Sequence, residues 1–299
     1  MLEIVEVGPR DGLQNDNVFF STEQKIEFIT RVVDAGVTRV EVASFVNPKR
    51  VPQMADAEAV IDGLPQRDGV SYIGLVLNVK GFERAAATKL HEVNLVVVST
   101  DTFAGKNQGM TSDETAAIVD EVAPLARAAG YKVSVTLAAT FGCPYEGEVP
   151  VERTLTLVKR IAQAGVDEIA LADTIGVAVP ADVRRRVSAV REALGADGPA
   201  LRAHFHNTRN TGYANAIAAA EEGVMTLDSS LGGIGGCPFA PNATGNIATE
   251  DLVYALNRSE IKQPADLAKL IEASAWLTQQ LDRLVPALLG KAGPFPRLA

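Results

Sequence analysis

One junction recurs along the chain. Asp34-Ala35-Gly36-Val37, Ala128-Ala129-Gly130-Tyr131, Gln163-Ala164-Gly165-Val166 and Glu221-Glu222-Gly223-Val224 each close a helical apolar pattern with glycine and then open a β-rich apolar run. Glycine takes the left-handed position just past a helix end without the steric penalty of a Cβ. A helix–Gly–strand unit repeated in this way means βα repeats.

The pattern predicts eight strands: Leu2–Val7, Arg39–Ala43, Tyr72–Leu77, Glu92–Val98, Lys132–Ala138, Glu168–Ala172, Ala200–His204 and Met225–Asp228. Helical stretches are predicted at Ala55–Ile61, Phe82–Ala87, Asp113–Ala128, Val151–Ala164, Pro180–Ala193 and Tyr213–Ala220. Ser21-Thr22-Glu23-Gln24 has the form of a capping box ahead of an apolar stripe at Ile26, Ile29 and Val33. Short apolar strands alternating with helices favour a parallel sheet covered on both faces. Eight units favour a closed (β/α)₈ TIM barrel. No GxGxxG follows the first strand, which disfavours an open dinucleotide-binding sheet. The expectation is a barrel over residues 1–258 with a C-terminal helical extension, 259–299, packed on it. Arg184-Arg185-Arg186 lies on a helix pattern and reads as a solvated face.

Composition narrows the function. The net charge of −9 argues against a nucleic-acid surface and against an anionic membrane. Two cysteines, Cys143 and Cys237, make no disulfide framework. No apolar run is long enough to span a bilayer, and the first residues enter a strand pattern at once. The expectation is a cytoplasmic protein acting on a small molecule, with a homo-oligomer compatible.

In this barrel class the active site lies at the C-terminal strand ends. Applied as a filter, that rule gathers Asp11, Glu41, Asp173, His204, His206, the glycine loop Gly232–Cys237 and Asn246. His204 and His206 stand two apart on a strand and so share a face. They suit either a divalent metal or a hydrogen-bonded pair. Asp11 and Asn246 would complete a mixed oxygen and imidazole set fitting Mg²⁺, Mn²⁺ or Co²⁺; each is also an ordinary turn residue. The loop reads as an anion cradle or a mobile lid. Cys237 reads as a thiol that reaches substrate or as an inert buried cysteine.

Several segments, in order, resemble hydroxymethylglutaryl-CoA lyases: Val5-Glu6-Val7-Gly8-Pro9-Arg10-Asp11-Gly12-Leu13-Gln14-Asn15, Glu41-Val42-Ala43-Ser44-Phe45-Val46-Asn47-Pro48-Lys49, Val51-Pro52-Gln53-Met54-Ala55-Asp56, Gly142-Cys143-Pro144-Tyr145-Glu146-Gly147, Asp173-Thr174-Ile175-Gly176, Gly233-Ile234-Gly235-Gly236-Cys237-Pro238 and Gly245-Asn246-Ile247-Ala248-Thr249-Glu250-Asp251. The resemblance runs to about Tyr254. It implies that Asp11, His204, His206 and Asn246 hold a divalent metal, Mg²⁺ or Mn²⁺. It implies that Arg10 stabilises an enolate, that Cys237 transfers a proton, that Glu41 and Asp173 support the site, and that Gln14 lies beside the metal and the substrate. His204 or Asp173 would take the proton of a 3-hydroxyl. The implied reaction cleaves a 3-hydroxyacyl-CoA, with 3-hydroxy-3-methylglutaryl-CoA leading. A related 3-hydroxyacyl-CoA, an acetyl-CoA-condensing synthase of the same superfamily and a catalytically silent barrel are the alternatives. The chain departs from the family pattern at Asn17, along Val98–Met110, and at Asn207-Thr208-Arg209-Asn210-Thr211-Gly212, where the lyases carry Asp-Thr-Tyr-Gly-Gln. Arg209 therefore reads either as an anion contact at the barrel mouth or as a surface residue.

Overall fold

A computed structural model describes residues 1–236 and 245–295. Eight parallel strands close into a barrel: β1 (Glu3–Glu6), β2 (Arg39–Ser44), β3 (Ser71–Leu75), β4 (Glu92–Val98), β5 (Lys132–Ala138), β6 (Glu168–Asp173), β7 (Ala200–Phe205) and β8 (Thr226–Ser229). Each pairs with its sequence neighbours, and β8 returns to β1 with Glu3 opposite Thr226. All eight expected strands are present, each end within two residues of its expected position. Gly36, Gly130, Gly165 and Gly223, which ended the helical patterns, all adopt positive φ, between 75° and 90°.

The outer ring comprises α1 (Thr22–Asp34), α2 (Ala57–Gly63), α3 (Val79–Ala86), α4 (Asp101–Gln108), α5 (Ser112–Ala128), α6 (Val151–Gln163), α7 (Pro180–Leu194), α8 (Gly212–Glu221) and α9 (Thr249–Arg258). The capping box forms at α1: Gln24 N donates to Ser21 Oγ at 3.3 Å, and Ser21 N donates to Gln24 Oε1 at 2.8 Å. Phe28, Ile29, Val32 and Val33 of α1 are buried, while Ile26 is only partly so. Helix α4 was not expected. It lacks an apolar stripe, burying only Phe103 and Ala104, so periodicity gives no signal there. A short antiparallel hairpin pairing Gly142–Cys143 with Gly147–Glu148 was also not expected. After α9, α10 (Leu267–Leu281) lies against α1, with Trp276 edge-on to Phe20.

The arginine run on α7 corrects the expectation of a solvated face. Arg184 and Arg185 are exposed and pair with Glu221 and Asp182. Arg186 is buried: it donates to Thr154 Oγ1 at 2.6 Å and Val149 O at 2.8 Å and lies over Phe141. A run of three residues covers most of one helical turn, so its members cannot all face water.

The barrel interior carries charge. Arg39 is 2% exposed and contacts Glu92 and Glu168, each at 2.7 Å. Arg202 approaches Glu168 and then Asp228, each at 3.4 Å. Burial opposes the charge on Arg39, but the two carboxylates outweigh it and hold its pKa above the ordinary value. The chain of alternating charges rises from the strand starts at Arg39, Glu92 and Glu168 toward the strand ends.

Candidate active site

The turn after β1 puts Arg10 and Asp11 over the barrel. Gly8–Gly12 forms a wide helical turn in which Asp11 N and Gly12 N both return to Val7 O. Pro9 occupies its first turn, where a missing N–H costs nothing. Arg10 is held by two carboxylates: Nε donates to Glu41 Oε2 at 2.6 Å and Nη1 to Asp11 Oδ1 at 2.7 Å. The other oxygen of Glu41 accepts from Asn94 Nδ2 at 2.9 Å. Burial opposes the charge on Arg10, and Glu41 and Asp11 overcome it, so its pKa stands above the ordinary value.

Asp11, His204 and His206 converge, with one potential ligand atom from each lying within 4.8 Å of the others. Asp11 lies in the turn after β1, and His204 and His206 lie at the end of β7, the two strands that flank β8. His204 is buried, and its Nδ1 lies 3.1 Å from Asp228 Oδ2. Burial works against charging the ring, but Asp228 outweighs it and raises the pKa. Asp11 is pushed down to about 2: burial opposes ionisation, and Arg10 and the two histidines reverse it.

Asn246 completes the set. A backbone bridge to His206 fixes its place, as Asn207 N donates to Gly245 O and Ile247 N to Phe205 O. Its Nδ2 donates to Asp11 Oδ2 at 2.8 Å, while its buried Oδ1 has no hydrogen-bond partner among the described residues. Gln14 Oε1 is likewise buried and without a partner. A buried acceptor left bare costs about 1–3 kcal/mol. One carboxylate, two imidazoles and an amide oxygen that lacks any donor are what a divalent cation requires, so these residues fit such an ion.

The glycine loop lies on this cluster. A Cβ on Gly235, at φ 111°, would stand 2.8 Å from Asn246 Nδ2 and 3.2 Å from Gly12 Cα, so only glycine allows this approach. Cys237 lies outside the described residues. Asp173 ends β6 and is fully buried. Its two oxygens accept from Val177 N and Ala178 N, each at 3.0 Å. Burial still raises its pKa against those bonds.

Asp228 and Asn94 were not among the residues expected at the site. The strand-end filter applied to Leu227-Asp228-Ser229-Ser230 points to the first, and a lone amide in the apolar run of β4 points to the second.

The HMGL-like family model matches residues 1–277. The chain belongs to the HMGL-like family. It is a carbon–carbon lyase of the hydroxymethylglutaryl-CoA lyase kind. An (R)-citramalyl-CoA lyase of Chloroflexus aurantiacus is 42% identical, the match covering 99% of this chain and 96% of the relative. A hydroxymethylglutaryl-CoA lyase of Bacillus subtilis is 40% identical over 95% of this chain and 94% of its own. Among solved structures, an HMG-CoA lyase of Acinetobacter baumannii in complex with coenzyme A and 3-methylmalate matches with a TM-score of 0.95 at 39% identity, covering 100% of this chain and 97% of that one. In this HMGL-like chain, no helix among the described residues is long and apolar enough to cross a membrane.

Proposed function

We propose that this lyase cleaves the C2–C3 bond of 3-hydroxy-3-methylglutaryl-CoA to acetyl-CoA and acetoacetate. The observation that carries the reading is the convergence of Asp11, His204 and His206 beside Arg10, with the bare Asn246 Oδ1 at its edge. Those four ligands would hold Mg²⁺ or Mn²⁺, which when bound supplies Lewis-acid polarisation of the substrate's oxygens.

The residues divide the remaining work. His204 has Nδ1 engaged by Asp228 and needs its other nitrogen as a ligand, so no lone pair is left for a proton. Asp173 is therefore the base for the 3-hydroxyl. As that proton leaves, C3 becomes a carbonyl, the C2–C3 bond breaks, and its electron pair moves to C2 and the thioester oxygen. Arg10, held by Glu41 and Asp11, stabilises the resulting enolate. Cys237 then protonates C2, and solvent returns the proton from Asp173 to the thiol. Gln14 contacts the substrate beside Arg10.

Citramalyl-CoA is the second reading, favoured by the 42% identity to an enzyme of that name. Its cleavage releases pyruvate in place of acetoacetate, so the products separate the two. The experiment is to strip the protein with a chelator, restore Mg²⁺ or Mn²⁺, offer each thioester and assay acetyl-CoA with the oxo acid. Metal-dependent acetoacetate supports the first substrate; pyruvate alone moves the assignment to the second. Neither product, from protein shown to bind metal, overturns the reading.

A further inference from the structure

We infer that Arg209 is the specificity residue of this site, receiving the carboxylate of the acyl chain; this rests on the acyl-CoA lyase reading above. Arg209 follows the β7 ligands by three residues from His206, in the segment where the chain departs from the lyase pattern. It is an exposed residue, yet its guanidinium does not trail into solvent. Nη1 donates to both Ile175 O and Gly176 O at 3.0 Å, in the turn that Asp173 caps. The two loops are locked together. Thr211 Oγ1 and Asn215 Nδ2 both donate to Ala178 O, at 2.9 and 2.8 Å, and a Cβ on Gly176, at φ 59°, would stand 2.8 Å from Thr208 Cβ.

Both hydrogens of Nη1 are used by these carbonyls. The Nε–Nη2 edge has no hydrogen-bond partner among the described residues, and that edge is the one that grips a carboxylate with two parallel bonds. Because the loop already orders the side chain, little entropy is lost on binding. Charge points the same way. Asp11, Glu41, Asp173 and Asp228 line the strand ends, and the charge of Arg10 is paired with two of them. Ile175 and Gly176, whose carbonyls hold Nη1, follow Asp173 by two and three residues, so the guanidinium is held at the turn that leaves the C-terminal end of β6. The phosphates of CoA lie at the far end of the pantetheine arm, away from the bond that breaks, so the acyl carboxylate is the anion within reach.

The test uses the metal-loaded enzyme with Arg209→Gln and Arg209→Lys. Two quantities are measured: kcat/KM for whichever carboxylated thioester the wild type cleaves, and the competitive Ki of 3-hydroxy-3-methylbutyryl-CoA, which keeps the branch and lacks the carboxylate. Arg209→Gln should lower kcat/KM about 10- to 100-fold, mainly through KM, the size of lost bonds to a charged group. The Ki should stay within about twofold, and Arg209→Lys should recover part of the loss by keeping the charge without the fork. A parallel rise in Ki, or an unchanged kcat/KM, overturns the assignment. So does a loss that vanishes with the 3′-dephospho-CoA thioester, since the partner is then the CoA phosphate. A wild type that cleaves no carboxylated thioester sinks the lyase reading and this inference with it; a wild type that turns over while Arg209→Gln is indifferent sinks this inference alone.

Discussion

His204 Nδ1 lies 3.1 Å from Asp228 Oδ2, and the two residues stand in register on neighbouring strands β7 and β8. The carboxylate orients the ring and favours the tautomer that would present the opposite nitrogen to the proposed metal. Asp228 is itself approached by Arg202, so the His204 ring is braced by the buried charges of the barrel. Asp228→Asn keeps the shape and removes the charge. Metal affinity, titrated calorimetrically into chelator-treated protein, should fall about 10- to 100-fold. Unchanged affinity with a lowered melting temperature would show that Asp228 serves stability alone.

Gly235 is a steric gate for Asn246, the fourth ligand of the proposed metal site. Gly235→Ala demands a left-handed alanine and places a Cβ 2.8 Å from Asn246 Nδ2. The strain is about 1–3 kcal/mol, and the cheapest relief is to move Asn246 or the loop. Weaker metal binding with nearly unchanged far-UV circular dichroism is expected. Wild-type binding would show that the loop has room to spare.

Arg39 sits between Glu92 and Glu168 with almost no exposure. Arg39→Leu leaves Glu92 buried without its arginine and Glu168 with only Arg202, at 3.4 Å. Denaturant unfolding should show a loss of about 3–5 kcal/mol. A loss below about 1 kcal/mol would mean that the interior relaxes or admits water.

Glu6 is fully buried and pushed up to about 8, because burial outweighs the bonds it accepts from Thr249 Oγ1, Leu231 N and Gly8 N; Glu250, also buried and raised to about 7, adds repulsion. A carboxyl with a raised folded pKa contributes stability that is complete below its unfolded value near 4.5 and is lost as pH rises through about 8. In chelator-treated protein, wild type should therefore lose stability relative to Glu6→Gln between pH 5 and 8.5, read by urea midpoints. A wild type that gains on Glu6→Gln over that interval would mean that the three donors dominate and Glu6 is ionised.

The strands were legible because each is a short apolar run bounded by glycine or polar turns, and eight such runs leave one closed arrangement. Asp11, His204, His206 and Asn246 were legible because each lies at or beyond a strand end. Helix α4 and the hairpin at Gly142–Glu148 were not, since neither has a period that local sequence can display. Arg186 was misread because adjacent positions on a helix face different surroundings and composition does not say which one is inward.

From the sequence alone came the repeat, the barrel and the roster of polar residues at its mouth, since periodicity and glycine placement are properties of neighbouring residues. Tertiary structure decided which of them touch. That His204 meets Asp228 follows from the register of β7 on β8, and that Arg209 is pinned to Ile175 and Gly176 follows from two loops packed at a glycine. Such contacts join residues tens to hundreds of positions apart. They exist only because closing the sheet brings all eight strand ends into one space, and no local pattern encodes that closure at the resolution of a hydrogen bond.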